Sequence, residues 1–330
     1  MTENILSGYL TFSESWNKQA RGQSFGLMSL HAWWRALLLI LLGVFLRSTG
    51  SGQTNWTFED TLSQIGMGYG LLFLLGFRPV RCQWIALGVI LIGYFTAFAL
   101  YPLPAADFDY AKVGVSTAWI KENELTGFAA HWMKNSNFAW AFDTWWMNLF
   151  PRKAPFTANG GGYSTLSFIP TLGTMILGLL AGEVLRSGRS GPEKLRWFLI
   201  AGITGIAGGW LLGALGVCPV VKRIWTPSWV LVSGGWCFLA LAAFYAIIDV
   251  RGWRAWAFPL VVIGMNSIAA YLMEWLFPAF IRDALRRHLG PGVLEMFGPA
   301  YAPFVLGVGV VGVMWLLLYA MYRRKIFLRI

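Results

Sequence analysis

The chain has 330 residues, of which 57% are hydrophobic and 12% charged, and its mean hydropathy is +0.57. Soluble domains carry about 25% charged residues, so this composition excludes a disordered chain, a fibrous repeat and a nucleic-acid-binding domain. The net charge of +11 therefore needs an explanation other than contact with nucleic acid. The composition indicates an integral membrane protein, whose direct partner is the lipid bilayer.

Eight apolar segments come close to the length of about 20 mostly apolar residues that a membrane-spanning helix needs. In chain order they cover residues 29–46, 61–77, 84–101, 166–182, 197–217, 229–248, 256–273 and 303–322. Strands of a membrane barrel are shorter and alternate in polarity, and these segments do neither. The sequence therefore predicts an all-α polytopic membrane protein with about eight transmembrane helices, forming a single membrane domain over residues 1–330.

The distribution of Lys and Arg predicts the orientation of these helices. With the N-terminus inside, fourteen basic residues fall in the inner connections and termini, against six in the short outer ones. An excess of Lys and Arg marks the cytoplasmic side, so both termini are predicted to be cytoplasmic, in the inner membrane. The basic net charge is then a signal of topology. The sequence leaves a homo-oligomer open.

One outer connection, residues 102–165, is too long for a turn and is predicted to form an extracytoplasmic insertion. Loops of this length are usually functional or disordered, and its five Trp residues favour packed structure. The insertion also contains His131, one of three histidines in the chain. Because histidine is a common acid–base group, His131 is a candidate catalytic residue; the alternative is a structural histidine.

The insertion ends in a glycine-rich loop, residues 159–165, which leads into the fourth apolar segment. Its three consecutive glycines allow the backbone to approach a ligand closely, and backbone N–H groups there can bind an anion or a carbonyl oxygen. We therefore select Asn159, Gly161 and Ser164 as candidate substrate-binding residues. The alternative is a flexible turn before a helix.

A second polar cluster, residues 218–228, precedes the sixth apolar segment. Lys222 is a candidate for holding an anionic or carbonyl group, Trp225 for stacking on a sugar ring, and Thr226 for contacting the same substrate. The alternative is that the cations extend towards lipid headgroups and that Trp225 anchors the chain at the membrane interface.

A third polar cluster lies inside the seventh apolar segment. Asn266 and Ser267 fall near its middle, and Ser267, Tyr271 and Glu274 are spaced to share one helical face. This alignment predicts a polar stripe facing a cavity, and Ser267 and Tyr271 are candidate substrate-binding residues. The alternative is hydrogen bonding between helices, which polar residues commonly supply in membranes.

Five features together resemble a known family. They are residues 222–231 (KRIWTPSWVL), Asp249, residues 264–268 (GMNSI), residues 162–166 (GYSTL) and residues 177–182 (LGLLAG). These motifs are similar to those of the heparan-α-glucosaminide N-acetyltransferase family, and several occur in the same order along the chain. The resemblance covers the chain from about residue 30 to its end.

The resemblance implies a membrane acyltransferase that moves an acetyl group from cytosolic acetyl-CoA, as co-substrate, to an amino sugar on the outer side. It implies that Lys222 and Asn266 donate hydrogen bonds to the developing oxyanion, a role such transfers need. The Trp-rich insertion would stack on a sugar. Four inner arginines would contact the CoA phosphates: Arg78, Arg81, Arg251 and Arg254. The alternative is that they only mark the cytoplasmic side of the membrane.

This chain departs from the family pattern in two places. Val221 stands where the family usually has Asn before the Lys. Members of the family also begin with two further helices and a catalytic histidine between them. We expect this chain to start after that region. Either the start is assigned too late, or the protein lacks the family's base and His131 is a candidate substitute.

Two other classes of protein compete with the enzyme, namely a transporter and a non-catalytic membrane subunit. Ion-coupled carriers often place acids at mid-membrane and show internal repeats. Here Glu183 and Glu274 lie towards segment ends, and the sequence shows no repeat. The three cysteines are scattered, so we expect neither a disulfide framework nor a metal site.

Overall fold

The structure is a computed structural model that describes Gly22 and residues 24–328. It is 73% helical, and the described residues contain no strand. Six of their helices are long and apolar enough to cross a membrane, or seven if one bent pair counts as a span. A further apolar helix has 16 residues. The predicted all-α polytopic fold is confirmed, whereas both chain termini, on which the predicted orientation partly depends, lie outside the described residues.

The chain divides into two compact units, Met1–Ala246 and Ile247–Ile330. The single membrane domain over residues 1–330 stays a prediction, and each unit is described by itself. The helices of the first unit are α1 (Phe25–Ser48), α2 (Thr61–Gly76), α3 (Val80–Leu100), α4 (Thr117–Asn123), α5 (Phe138–Trp146), α6 (Phe168–Arg186), α7 (Gly191–Ala214) and α8 (Pro227–Tyr245).

Helix α6 is the centre of the first unit. It packs against α2, α3 and α8, and fourteen of its residues are buried. Ile176, Leu179 and Leu180 are at most 2% exposed. At Gly173 the helix lies in ordinary contact range of α3, since a Cβ there would meet Leu87 at 3.4 Å. Neighbouring helices therefore surround α6 and keep it from lipid.

Helices α7 and α8 pack backbone to backbone through glycines. A Cβ on Gly235 of α8 would lie 2.6 Å from the carbonyl oxygen of Gly202, and one on Gly209 would lie 2.5 Å from that of Ser228. In membranes, where lipid tails are as apolar as leucine, such close approach through small residues supplies much of the attraction between helices. The glycine pattern of α7 therefore encodes its pairing with α8.

The insertion is folded and packs on one end of the helix bundle. Trp132, which is 1% exposed, stacks on Phe98 near the end of α3 with ring centroids 6.1 Å apart. The start of α2 and the connection before it reach the same end, because Gln64 Nε2 of α2 donates to the backbone oxygens of Thr165 at 3.1 Å and of Phe58 at 2.7 Å. The connection before α8 also lies at this end of the bundle, since Tyr94 of α3 donates to the backbone oxygen of Ile224 at 2.8 Å.

The second unit contains α9 (Phe258–Met265), α10 (Ser267–Leu276), α11 (Pro278–Leu294) and α12 (Ala302–Arg323). The predicted apolar segment 256–273 is not one straight helix: α9 and α10 meet at 73°. The break falls at Asn266, whose φ of −133° and ψ of 42° are not helical. Its amide oxygen accepts from Leu328 N, and its amide nitrogen donates to Ile326 O. Asn266 thus ties the bend to the segment that follows α12.

Candidate functional site

A polar pocket lies in the first unit, where the insertion meets the start of α6 and the connection before α8. Its cavity volume is about 10 Å³, which is the space of one water molecule, and the pocket opens to solvent on one side. Its walls combine amides, aromatic rings and a carboxylate: Asn135, Asn137, Trp140, Asp143, Phe156, Asn159, Gly162, Tyr163, Ser164 and Ile224. A small number of convergent polar groups beside aromatic rings is typical of sites that bind small molecules.

Helix α5 supplies the central residues of the pocket. The side chain of Asn137 caps this helix by accepting the N–H of Trp140 at 3.0 Å. Trp140 and Asp143 then lie one turn apart on the same face of α5, and both line the pocket. The Trp140 indole N–H donates to the backbone oxygen of Thr157 at 2.9 Å, which fixes the ring.

Asp143 is the one acid among the pocket-lining residues, and it is 4% exposed. Its Oδ2 accepts the backbone N–H of Thr165 at 2.9 Å. Its Oδ1 is buried and has no hydrogen-bond partner among the residues that the structure describes. A buried polar atom without a partner costs free energy, so an acceptor in this position is suited to a ligand or a water molecule.

Burial raises the pKa of Asp143 to about 6, against the lowering influence of the Thr165 N–H and hydroxyl. The nearby Glu59 also raises the pKa of Asp143, whereas Arg152 lowers it. Glu59 itself has a raised pKa because it is buried in the connection before α2. A carboxyl with a pKa near 6 is ionised at neutral pH and accepts a proton more readily than an ordinary aspartate.

The glycine-rich loop folds around the side chain of Asn159. Its Oδ1 accepts the N–H groups of Gly161 at 2.8 Å and Tyr163 at 3.2 Å, and its backbone oxygen accepts the N–H of Gly162 at 2.9 Å. Gly162 has a φ of +75°, a conformation that favours glycine. These three N–H groups are therefore used within the loop, and the loop presents carbonyl oxygens outward.

Two cations hold those carbonyl oxygens. Lys134 Nζ donates to Gly160 O at 2.8 Å, and the Arg223 guanidinium donates to Gly161 O. Lys134 also lies over the ring of Trp119, with 5.0 Å to its centroid. Partial burial, together with Arg223, lowers the pKa of Lys134. The cations thus fix the loop that forms one wall of the pocket.

The sequence-predicted substrate residues divide into two groups. Asn159 and Ser164 line the pocket, and Gly161 lies between lining residues of the same loop. Trp225 and Thr226 point elsewhere: the Trp225 indole donates to Thr174 Oγ1 of α6 at 3.0 Å, and the fully buried Thr226 side chain caps α8. These hydrogen bonds hold the fold together, and the substrate-binding roles of Trp225 and Thr226 remain predictions.

The predicted catalytic residues of the first unit do not line the pocket. His131 is half-buried, and its Nδ1 lies 2.9 Å from the backbone oxygen of Tyr101, while its ring packs at 5.3 Å from Phe128. Lys222 is exposed in the turn before α8. Their catalytic roles remain predictions.

The other predicted residues lie at the far end of the bundle or in the second unit. Arg78 and Arg81 are exposed at the start of α3, whose 21 residues span about 31 Å. The second unit holds Asn266, Ser267, Tyr271, Arg251 and Arg254. Arg251 and Arg254 are exposed, and Ser267 and Tyr271 are half-buried.

Sequence reasoning missed Asp143, Asn135 and Asn137, and it included Trp140 only as one of the five tryptophans of the insertion. A signal for Asp143 was present, because it is the single charged residue in the aromatic run FAWAFDTWW of α5. An acid surrounded by aromatic residues is either exposed on one face of the helix or buried in a functional site, and the sequence does not distinguish these two cases.

The fold and pocket define a class: an all-α polytopic membrane protein with a polar, carboxylate-containing pocket at one end of its helices. No protein-family profile matches the chain. The chain is 23% identical over 343 residues to the human heparan-alpha-glucosaminide N-acetyltransferase, covering 90% of this chain and 48% of that protein. It is 22% identical over 344 residues to the mouse protein of the same name, covering 90% and 49%.

These similarities show a distant relationship to the heparan-α-glucosaminide N-acetyltransferase family, as the sequence motifs predicted. The chain spans about half the length of the curated relatives that it matches.

Proposed function

We propose that the chain is a transmembrane acyltransferase that moves an acetyl group from cytosolic acetyl-CoA to the amino group of a sugar on the outer side of the membrane. The distant relatives are named as N-acetyltransferases of a glucosaminide, which supports this reaction class. The acceptor is an amino sugar or an amine-bearing glycan.

The observation that carries the proposal is the composition of the pocket. Asn135, Asn137 and Asn159 supply amide groups, which bind hydroxyl groups both as donors and as acceptors. Trp140 supplies an aromatic face against which a sugar ring can pack. The Oδ1 atom of Asp143, which lacks a partner, matches an amine that needs an acceptor.

The donor would bind at the opposite end of the bundle. Arg78 and Arg81 are exposed there, and guanidinium groups bind phosphates in two-pronged hydrogen bonds. Arg251 and Arg254 are the matching candidates in the second unit. Because α3 alone separates its two ends by about 31 Å, the proposal requires that the acetyl thioester of the bound donor extends through the membrane domain to the acceptor amine.

The test is an acetyl-transfer assay on the full chain in lipid nanodiscs, with radiolabelled acetyl-CoA and glucosamine. We expect labelled N-acetylglucosamine that increases with time and with enzyme. The matched control is N-acetylglucosamine as acceptor, which has the same ring without a free amine and should gain no label. Absence of both acetyl-CoA binding and transfer would contradict the proposal and favour a transporter or a non-catalytic subunit.

A further inference from the structure

One side chain that lines the pocket has a buried oxygen without a hydrogen-bond partner among the described residues. Asp143 is 4% exposed, and one carboxylate oxygen is satisfied by the Thr165 N–H, whereas the other has no partner among the described residues. The wall around it consists of amides and aromatic rings, and no cation lines the pocket to neutralise it. A buried carboxylate oxygen without a partner is suited to accept a hydrogen bond or a proton from a group that carries one.

We propose that Asp143 is a catalytic residue that takes the proton from the acceptor amine through its unpartnered Oδ1 atom. This inference rests on the proposed function and adds to it the identity of the base. His131, the base that the sequence suggested, binds the Tyr101 backbone and does not line the pocket. A base must lie within reach of the proton that it removes, and Asp143 is among the residues that line the pocket.

The proton and electron balance is complete with these groups. An ammonium first gives one proton to Asp143, and its nitrogen thereby gains an electron pair. That pair forms the N–C bond to the acetyl carbonyl carbon, and the C–S bond of the thioester breaks with its electron pair on sulfur. The second N–H proton neutralises the thiolate, and Asp143 releases its proton to bulk water. The products are an amide and a thiol.

The charged and titratable groups around Asp143 support this role. Glu59, from the connection before α2, raises the pKa of Asp143, and burial has the same, larger effect. Arg152 lowers the pKa of Asp143. The Arg152 guanidinium itself donates hydrogen bonds to the backbone oxygens of Met147 and Trp56. The Tyr94 hydroxyl of α3 points to the backbone oxygen of Ile224. The resulting pKa of about 6 is suitable for a base at neutral pH.

The test compares wild type, Asp143→Asn and Glu122→Gln in acetyl-CoA-to-glucosamine transfer between pH 5 and 9. Asp143→Asn keeps the shape of the side chain, and its amide oxygen can still accept the Thr165 N–H. Glu122→Gln makes the same charge change at an exposed position of the insertion. Thermal unfolding of each variant shows whether it is folded.

We expect kcat in Asp143→Asn to fall about a hundredfold or more at pH 7, with a smaller change in the KM for glucosamine. Wild type and Glu122→Gln should lose activity below a midpoint near pH 6, and this limb should be absent in Asp143→Asn. A folded Asp143→Asn protein that keeps wild-type kcat and the same pH limb would overturn the inference and leave the proposed function intact. Wild-type protein without any transfer would overturn both.

Discussion

We expect the ionised Asp143 carboxylate to destabilise the folded protein at neutral pH. Its pKa rises from 3.8 to about 6 in the folded state because the carboxylate is buried. The folded state therefore binds more protons than the unfolded state between these values, and stability falls as pH rises through them. A shift of about two pKa units corresponds to about 3 kcal/mol, present as a destabilisation above pH 6 and absent below pH 4.

Asp143→Asn removes this penalty, because the amide has no charge to desolvate. We expect its melting temperature to exceed that of wild type at pH 7.5 and to match it near pH 4. Tryptophan fluorescence during heating in one detergent, at both pH values, measures the difference, and Glu122→Gln is the control. If Asp143→Asn melts below wild type at pH 7.5, the carboxylate stabilises the fold, and the reasoning from its burial is refuted.

Three further predictions concern helix packing, the acceptor and the donor. Gly235→Ala places a Cβ 2.6 Å from the Gly202 carbonyl and should lower stability by about 1–3 kcal/mol in thermal unfolding; Gly208→Ala, with no atom within 4 Å, should not. Trp140→Ala should raise the KM for glucosamine by up to about tenfold, through the loss of an aromatic face, with kcat nearly unchanged; an unchanged KM would exclude ring stacking there. Arg81→Gln should raise the KM for acetyl-CoA about fourfold and leave that for glucosamine unchanged; equal changes in both would contradict a donor site at α3.

The helices could be predicted because their apolar length alone identifies them. Segment 84–101 corresponds to α3 and segment 166–182 to α6, which continues to Arg186 because polar residues are tolerated where a helix leaves the membrane. The 73° bend at Asn266 could not be predicted. It depends on hydrogen bonds to Ile326 and Leu328, about 60 residues away, and hydropathy contains no information on such partners.

The pocket could be predicted in part. Asn159 and Ser164 were found because a glycine run before a helix is visible in the sequence. Trp225 and Thr226 occupy the predicted connection, but their side chains turn towards α6 and into the cap of α8, and a side-chain direction is set by tertiary packing. Asp143 was missed because its burial arises only when the insertion folds, whereas the sequence alone shows an acid in an outer loop.

The central claim is that an acetyl group crosses the membrane domain to an amine in the pocket. Sealed proteoliposomes that contain the full chain test it most directly, with labelled acetyl-CoA outside and glucosamine enclosed. We expect labelled N-acetylglucosamine to accumulate inside wild-type vesicles whose inserted chains face their donor end outward, and not inside Asp143→Asn vesicles. The account would be contradicted if no labelled product formed inside the vesicles and product appeared only when donor and acceptor were in the same compartment.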